Sequence, residues 1–176
     1  MNKHLDFLTE YPFQYLSDIL KDIKKDPLDV IGLHIGEPKE RAPMQALDII
    51  NENSLSYSKY PTSSGELYLR ESYCNYLNER FSISNINPDI HVLPLSGSRE
   101  GIFSFIQSTI DTTKKNPRVI LPNPFYKIYE GAAIMAGAEP FYLNSIESEG
   151  FKPDLESIPE DLSLIHISEP TRPLYI

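Results

Sequence analysis

The sequence predicts an α/β fold in which a mostly parallel sheet is flanked by helices. From about residue 89 onward, apolar runs of strand length alternate with stretches whose apolar residues recur at helical spacing, the pattern of a parallel sheet with crossover helices. Pro and Gly fall between the periodic stretches and mark where elements end. Apolar residues make up 40% of the 176 residues, enough for a core and too many for a disordered chain.

In order, Tyr11-Pro12 opens a helical pattern with Phe13, Leu16, Leu20 and Ile23 on one face, stopped by Pro27. Val30 to Ile35 reads as a short extended segment ending in the turn Gly36-Glu37-Pro38. Pro43 can start a helix with Met44, Leu47 and Ile50 turned inward. A polar loop, Lys59 to Gly65, follows; Ser63 and Glu66 have capping-box spacing, and Leu69, Tyr73, Tyr76 and Leu77 give the next helix an apolar face to about Arg80. After a loop from Asn85 to Asp89, Ile90 to Leu95 reads as a strand, and Ile102, Phe105, Ile106 and Thr109 mark a helix with one buried face. Arg118 to Leu121 is a second buried strand, cut off by Pro122-Asn123-Pro124. A helix carrying Ile128, Tyr129, Ala132, Ala133 and Ala136 stops at Gly137, and Glu139 to Leu143 is a third strand. The acidic stretch from Glu147 to Asp161 reads as a solvated loop.

A net charge of −9 argues against nucleic-acid and anionic-membrane partners, though not against a local anion site. Cys74 is the sole cysteine, which rules out an intrachain disulfide and points to a reducing, cytoplasmic setting; its place on a helix reads as inert packing. The N-terminus lacks the apolar run of a signal peptide, and no apolar stretch approaches bilayer length. His4, His34, His91 and His166 share no metal-ligand spacing, so they read as satisfied or surface histidines.

Ser96-Gly97-Ser98-Arg99-Glu100-Gly101 is the candidate site. Gly97 permits a tight turn and close approach of a ligand to the backbone. Ser98 suits an N-cap, free N–H groups and the helix dipole favour an anion, and Arg99 adds a planar cation. Strand, Gly-Ser-Arg turn and helix together make a phosphate cradle, although most small-residue turns into helices bind nothing.

Five blocks in order sharpen this: Tyr11-Pro12-Phe13; Leu33 to Lys39; Lys59-Tyr60-Pro61 with Gly65 and Leu69-Arg70; Gly97 to Glu100 with Phe103-Ser104-Phe105; and Asn123 to Tyr126 with Ile128 to Ala132. Together, over about residues 10 to 161, they resemble the N-terminal part of class I/II, fold-type I aminotransferases that use pyridoxal phosphate. The wording of the second and fifth blocks is most similar to the N-succinyldiaminopimelate aminotransferase branch of lysine and peptidoglycan-precursor synthesis.

The resemblance implies that Gly97, Ser98 and Arg99 hold the cofactor phosphate. Because the dipole supplies only about 0.3–1 kcal/mol, direct hydrogen bonds must supply most of the grip. It implies that Tyr126 stacks on the cofactor ring, where core packing beside Tyr129 is the alternative. It matches Tyr60 to a tyrosine that reaches the phosphate of a partner subunit in a homodimer; an exposed tyrosine of a polar loop fits equally. It matches Gly36 to the glycine that closes over the substrate carboxylate, against a plain turn glycine. The implied substrates are glutamate and a keto acid, N-succinyl-2-amino-6-ketopimelate first. The alternatives are a β-lyase, an aminotransferase with another substrate, or a non-catalytic cofactor-binding remnant.

The same resemblance places the Schiff-base lysine, the acidic partner of the pyridine nitrogen and a carboxylate-binding arginine in the family's second half. No catalytic residue is therefore expected in this chain, and alone it is expected to be inactive. Ser56-Tyr57-Ser58-Lys59 with Gly65 mimics the lysine block, but Leu67 stands where a phosphate-binding arginine belongs and the segment comes too early. From about Leu162 the sequence resembles the translation of a transposon-end adapter used in preparing sequencing libraries. The expected organisation is 1–35 as a small-domain segment, 36–161 as the first part of the cofactor-binding large domain, and 162–176 as a non-native tail.

Overall fold

The fold was analysed in a computed structural model, which describes residues 2–23 and 31–159. The described residues divide into two compact units: the N-terminal residues through Asp22 together with Leu95 onward, and Ile23 to Pro94. The tail from Leu162, His166, Pro27 and Val30 lie outside the described residues.

The first unit carries the sheet. Helix α1 (Pro12–Leu20) begins with Pro12 in its first turn, where the missing N–H costs nothing. Helix α5 (Ser98–Thr109) leads to β1 (Arg118–Asn123), α6 (Lys127–Met135) and β2 (Glu139–Asn144). The strands pair in parallel with Arg118 opposite Glu139 and Asn123 opposite Asn144, so α6 is the crossover of a βαβ unit. Side chains fix both ends of that register: Arg118 Nε donates to Glu139 Oε2 at 2.9 Å, and Asn123 Nδ2 donates to Asn144 Oδ1 at 2.8 Å. The strand runs on through Pro122 to Asn123 rather than stopping at Leu121.

Ile106, Val119, Leu121, Ala132, Ala133 and Ala138 form the core. Val119 and Leu121 alternate along β1 toward the helices, and the alanines of α6 bring its backbone close to its neighbours. Gln107 Nε2 donates to the Ala132 carbonyl at 2.9 Å and ties α5 to α6. Helix α6 ends as its sequence suggests. Gly137 N–H donates to the Ile134 carbonyl and Ala138 N–H to the Ala133 carbonyl, each at 2.9 Å, which is a Schellman closure.

The second unit holds α2 (Met44–Glu52), α3 (Leu67–Phe81) and α4 (Pro88–His91). Several expectations fail here. Ile90 to Leu95 is no strand: Asn87 Oδ1 accepts from Asp89 N–H at 2.8 Å and Pro88 sits in the first turn, which starts a helix instead. Of the extended segment, Ile31 and Leu33 stand 78% and 90% exposed without strand pairing. Met44, Leu47 and Ile50 are exposed rather than inward, as are Leu69, Tyr73 and Tyr76, because none of the described residues of this unit covers those faces.

The capping box does not form; Glu66 is itself the N-cap of α3 and no side chain caps the helix. The buried residue of α3 is Arg70. It donates to the Gly65 and Pro88 carbonyls at 3.3 and 2.9 Å and to Asp89 Oδ1 at 2.5 Å, joining the loop before α3 to α4.

His4 also departs from expectation. Its Nδ1 is buried without a hydrogen-bond partner among the described residues, whereas His91 Nδ1 accepts from Asn87 N–H at 2.9 Å.

Candidate functional site

The N-cap of α5 is Gly97, not Ser98. Gly97 is the N-cap with φ 151° and ψ 162°, and no side chain caps the helix. That conformation is all but closed to residues with a Cβ, so the glycine sets the shape of the turn. Ser98 moves to the first helical position, and the first-turn N–H groups lack intrahelical acceptors, as at any helix start. An anion approaching this end meets backbone donors and the positive end of the dipole.

Arg99 Nε donates to Tyr126 Oη at 3.2 Å. Tyr126 is the N-cap of α6, so packing α5 on α6 brings two helix starts, a guanidinium and a phenol into one place. Tyr126 also meets Tyr129 edge to face, with ring centroids 5.9 Å apart. It remains 41% exposed, which leaves ring surface for a ligand. The hydrogen bond that Arg99 donates to Tyr126, with Tyr11 acting in the same sense, raises the Arg99 pKa above its already high ordinary value. Arg99 is a permanent cation at the mouth of the turn.

The residues fit a phosphate-bearing cofactor. A Cβ at Gly97 would fill space where a ligand's oxygens can approach the backbone. Glu100 opposes this in part: its Oε2 lies 3.0 Å from where that Cβ would stand. Glu100 is exposed, so the carboxylate can turn outward, and a dianion gains most when it does.

Tyr60 and Gly36 belong to the second unit. Tyr60 is 98% exposed at the end of the polar loop, and Gly36 lies in an exposed stretch without regular structure. Lys59, exposed in the same loop, has no residue of the first unit's cradle near it in sequence.

Two features escaped the sequence reading. Tyr11 raises the Arg99 pKa in the same direction as Tyr126, with a smaller effect; its sequence signal was membership of an ordered block. Glu130 is 7% exposed, pairs with Lys127 and accepts from Tyr142 Oη at 2.6 Å and Thr9 Oγ1 at 3.4 Å. Burial pushes its pKa up, but the bonds from Lys127, Tyr142 and Thr9 outweigh this and hold it below the usual value. Burial and the Glu130 carboxylate together push Tyr142 up to about 12.

Among the described residues no cluster of His, Cys, Asp and Glu is arranged to hold a metal ion, and no helix is long and apolar enough to cross a membrane.

Comparisons with known proteins place this α/β chain in a family. The model of the aminotransferase class I and II family matches residues 28–171, and the chain belongs to that family, whose members generally depend on pyridoxal phosphate. Similar relatives include an LL-diaminopimelate aminotransferase of Aquifex aeolicus, 32% identical over 178 residues, covering 96% of this chain and 44% of that protein. One of Dehalococcoides mccartyi is 30% identical over 179 residues, covering 98% of this chain and 45% of its own. The chain thus spans less than half the length of these curated relatives. Among solved structures, an aminotransferase of Neisseria meningitidis superposes with a TM-score of 0.82 at 36% identity, covering 91% of this chain and 41% of that one. An aminotransferase of Helicobacter pylori does so at 0.77 and 31%, covering 85% and 39%. The α/β fold with a parallel sheet flanked by helices is that of the first part of a fold-type I aminotransferase. The relatives named here are LL-diaminopimelate aminotransferases, not N-succinyldiaminopimelate aminotransferases.

Proposed function

We propose that the whole protein transfers an amino group between glutamate and a keto acid, with pyridoxal phosphate held at the start of α5. The observation that carries this reading is the uncapped Gly97 turn with Arg99 hydrogen-bonded to Tyr126 at 3.2 Å.

Gly97 and Ser98 offer backbone N–H groups to the phosphate, and Arg99 adds charge-assisted hydrogen bonds, worth about 1.5–3 kcal/mol each. Tyr126 presents its ring to the cofactor's pyridine face and its hydroxyl to Arg99, so one residue relates the ring to the phosphate. Tyr60 completes the phosphate site of a partner subunit in a homodimer, and Gly36 borders the substrate carboxylate. When bound, pyridoxal phosphate supplies the electron sink that makes the substrate α-carbon acidic. The lysine that moves the proton is assigned by resemblance to the family's second half, so amino-group transfer is proposed for the whole protein.

The substrate is proposed to be of the diaminopimelate class. The wording of the blocks around His34 to Lys39 and Asn123 to Tyr126 supports the N-succinylated keto acid. The names of the relatives support unmodified LL-diaminopimelate. Full-length protein reconstituted with pyridoxal phosphate, with 2-oxoglutarate as acceptor, tests both. Turnover of N-succinyl-diaminopimelate with the higher kcat/KM supports the succinylated substrate, and the reverse ratio supports the unmodified one. No turnover of either by cofactor-loaded protein overturns the substrate class.

A further inference from the structure

The Glu130 carboxylate is the most buried ionised group among the described residues of the first unit, and it is shared by three elements. Lys127 pairs with it from the first turn of α6, Tyr142 donates from β2 at 2.6 Å, and Thr9 donates from the N-terminal segment at 3.4 Å. Lys127 also bonds Thr9. A lysine at the first position of a helix opposes the helix dipole, so Lys127 does not serve helix stability there; the buried carboxylate holds it.

These groups converge on the turn that presents Tyr126. Lys127 Nζ lies over the Phe125 ring, 6.0 Å from its centroid, and the Tyr142 ring packs on Phe125 with centroids 5.4 Å apart. Phe125 is the residue before Tyr126. Thr9, held by the same carboxylate and bonded to Lys127, ties the N-terminal segment to the start of α6. The turn that presents Tyr126 to Arg99 is therefore set by residues that Glu130 anchors.

We propose that Glu130 is a positioning residue for the cofactor site: it locks Lys127, braced by Thr9, and with it Phe125, so that Tyr126 aims the Arg99 guanidinium. Glu130 touches neither cofactor nor substrate in this scheme. It rests on the assignment of Arg99 to the cofactor phosphate, and its test separates the two.

The test is a double-variant cycle in full-length holoenzyme, reading the pyridoxal phosphate Kd by equilibrium titration and the visible circular dichroism per bound cofactor. Glu130→Gln weakens cofactor binding about tenfold and lowers the dichroism per bound cofactor, because losing a buried charged partner frees Lys127. In an Arg99→Lys background the added Glu130→Gln effect shrinks to less than about twofold, since residues acting through one group are not additive. Tyr142→Phe, which removes one hydrogen bond, and Thr9→Val, which removes those to Glu130 and from Lys127, keep the inference testable if Glu130→Gln fails to fold; each shifts the dichroism in the same direction. Equal Glu130→Gln effects in both backgrounds, or a lower melting temperature with unchanged dichroism per bound cofactor, overturn the positioning role and leave Arg99 as assigned. An unchanged Kd in Arg99→Lys and Arg99→Ala overturns the assignment of Arg99, and the positioning role with it.

Discussion

Arg99 and Tyr126 lie 27 positions apart in sequence and meet through a single hydrogen bond of 3.2 Å, which closes the gap between the starts of α5 and α6. Because Tyr126 offers both a hydroxyl to Arg99 and an exposed ring, its two parts can be separated. Tyr126→Phe keeps the ring and loses the hydroxyl, and is expected to weaken pyridoxal phosphate binding by about 1 kcal/mol, near fivefold. Tyr126→Ala loses the ring as well and weakens it further. Titration of the full-length variants checks the order; equal losses would remove the ring from the site.

Glu100 gives a prediction of opposite sign. Its carboxylate lies beside Gly97 and repels a bound dianion, so Glu100→Gln is expected to tighten phosphate-ester binding about two- to fivefold at low salt, and less at high salt. Competition between inorganic phosphate and pyridoxal phosphate at two ionic strengths measures this. Weaker binding in the variant would show that Glu100 supports the cradle.

The glycines separate strain from propensity. Gly65 has φ +77°, and a Cβ there would stand 2.6 Å from Pro94 Cγ. Gly65→Ala is expected to destabilise by about 1–2 kcal/mol from the left-handed backbone, with the ring clash added. Gly131, inside α6, has nothing within 4 Å of its added Cβ, so Gly131→Ala is expected to stabilise by about 0.5–1 kcal/mol. Denaturant unfolding of full-length variants checks both signs.

The Glu130–Tyr142 pair predicts pH dependence at both ends. Tyr142 is raised from 10.0 to about 12. Its stabilising contribution is therefore complete below pH 10 and lost as pH rises through about 12. Glu130 is lowered, so its contribution is present above the ordinary carboxylate pKa and lost as pH falls through its depressed value. A difference titration of the phenolate band between the parent protein and Tyr142→Phe should show one tyrosine ionising late. Ionisation of that tyrosine near 10 would contradict the pair.

Tyr60 predicts complementation. If it serves a partner's cofactor, a mixed dimer of Tyr60→Ala and Arg99→Ala subunits contains one intact site and one doubly defective site. Activity of the mixture should then exceed that of either variant alone. Activity equal to the average of the parents places Tyr60 in its own subunit's site or in none.

The βαβ unit was legible because each of its boundaries is a local signal: Pro122 and Pro124 near the end of β1, alanines along α6, and Gly137 at its stop. The start of α5 was legible to within one residue. Ser98 is the commoner N-cap type, but the backbone needs φ 151° there, which only Gly97 supplies. Ile90 to Leu95 misled because an apolar run has strand character without a partner, while Asn87 and Pro88 start a helix by local bonding. In α2 and α3 the periodicity names the apolar face but not what covers it. Glu130 was out of reach for a different reason: its partner Thr9 is 121 positions away, and no spacing rule links them.

The measurement that bears most directly on the site is the equilibrium affinity of the full-length protein and its Arg99→Ala variant for pyridoxal phosphate, with pyridoxal, which lacks the phosphate, as the paired ligand. The assigned cradle predicts that Arg99→Ala loses about tenfold to a hundredfold in affinity for pyridoxal phosphate and little for pyridoxal. Equal affinity of the two proteins for pyridoxal phosphate would contradict the placement of the cofactor phosphate at the start of α5.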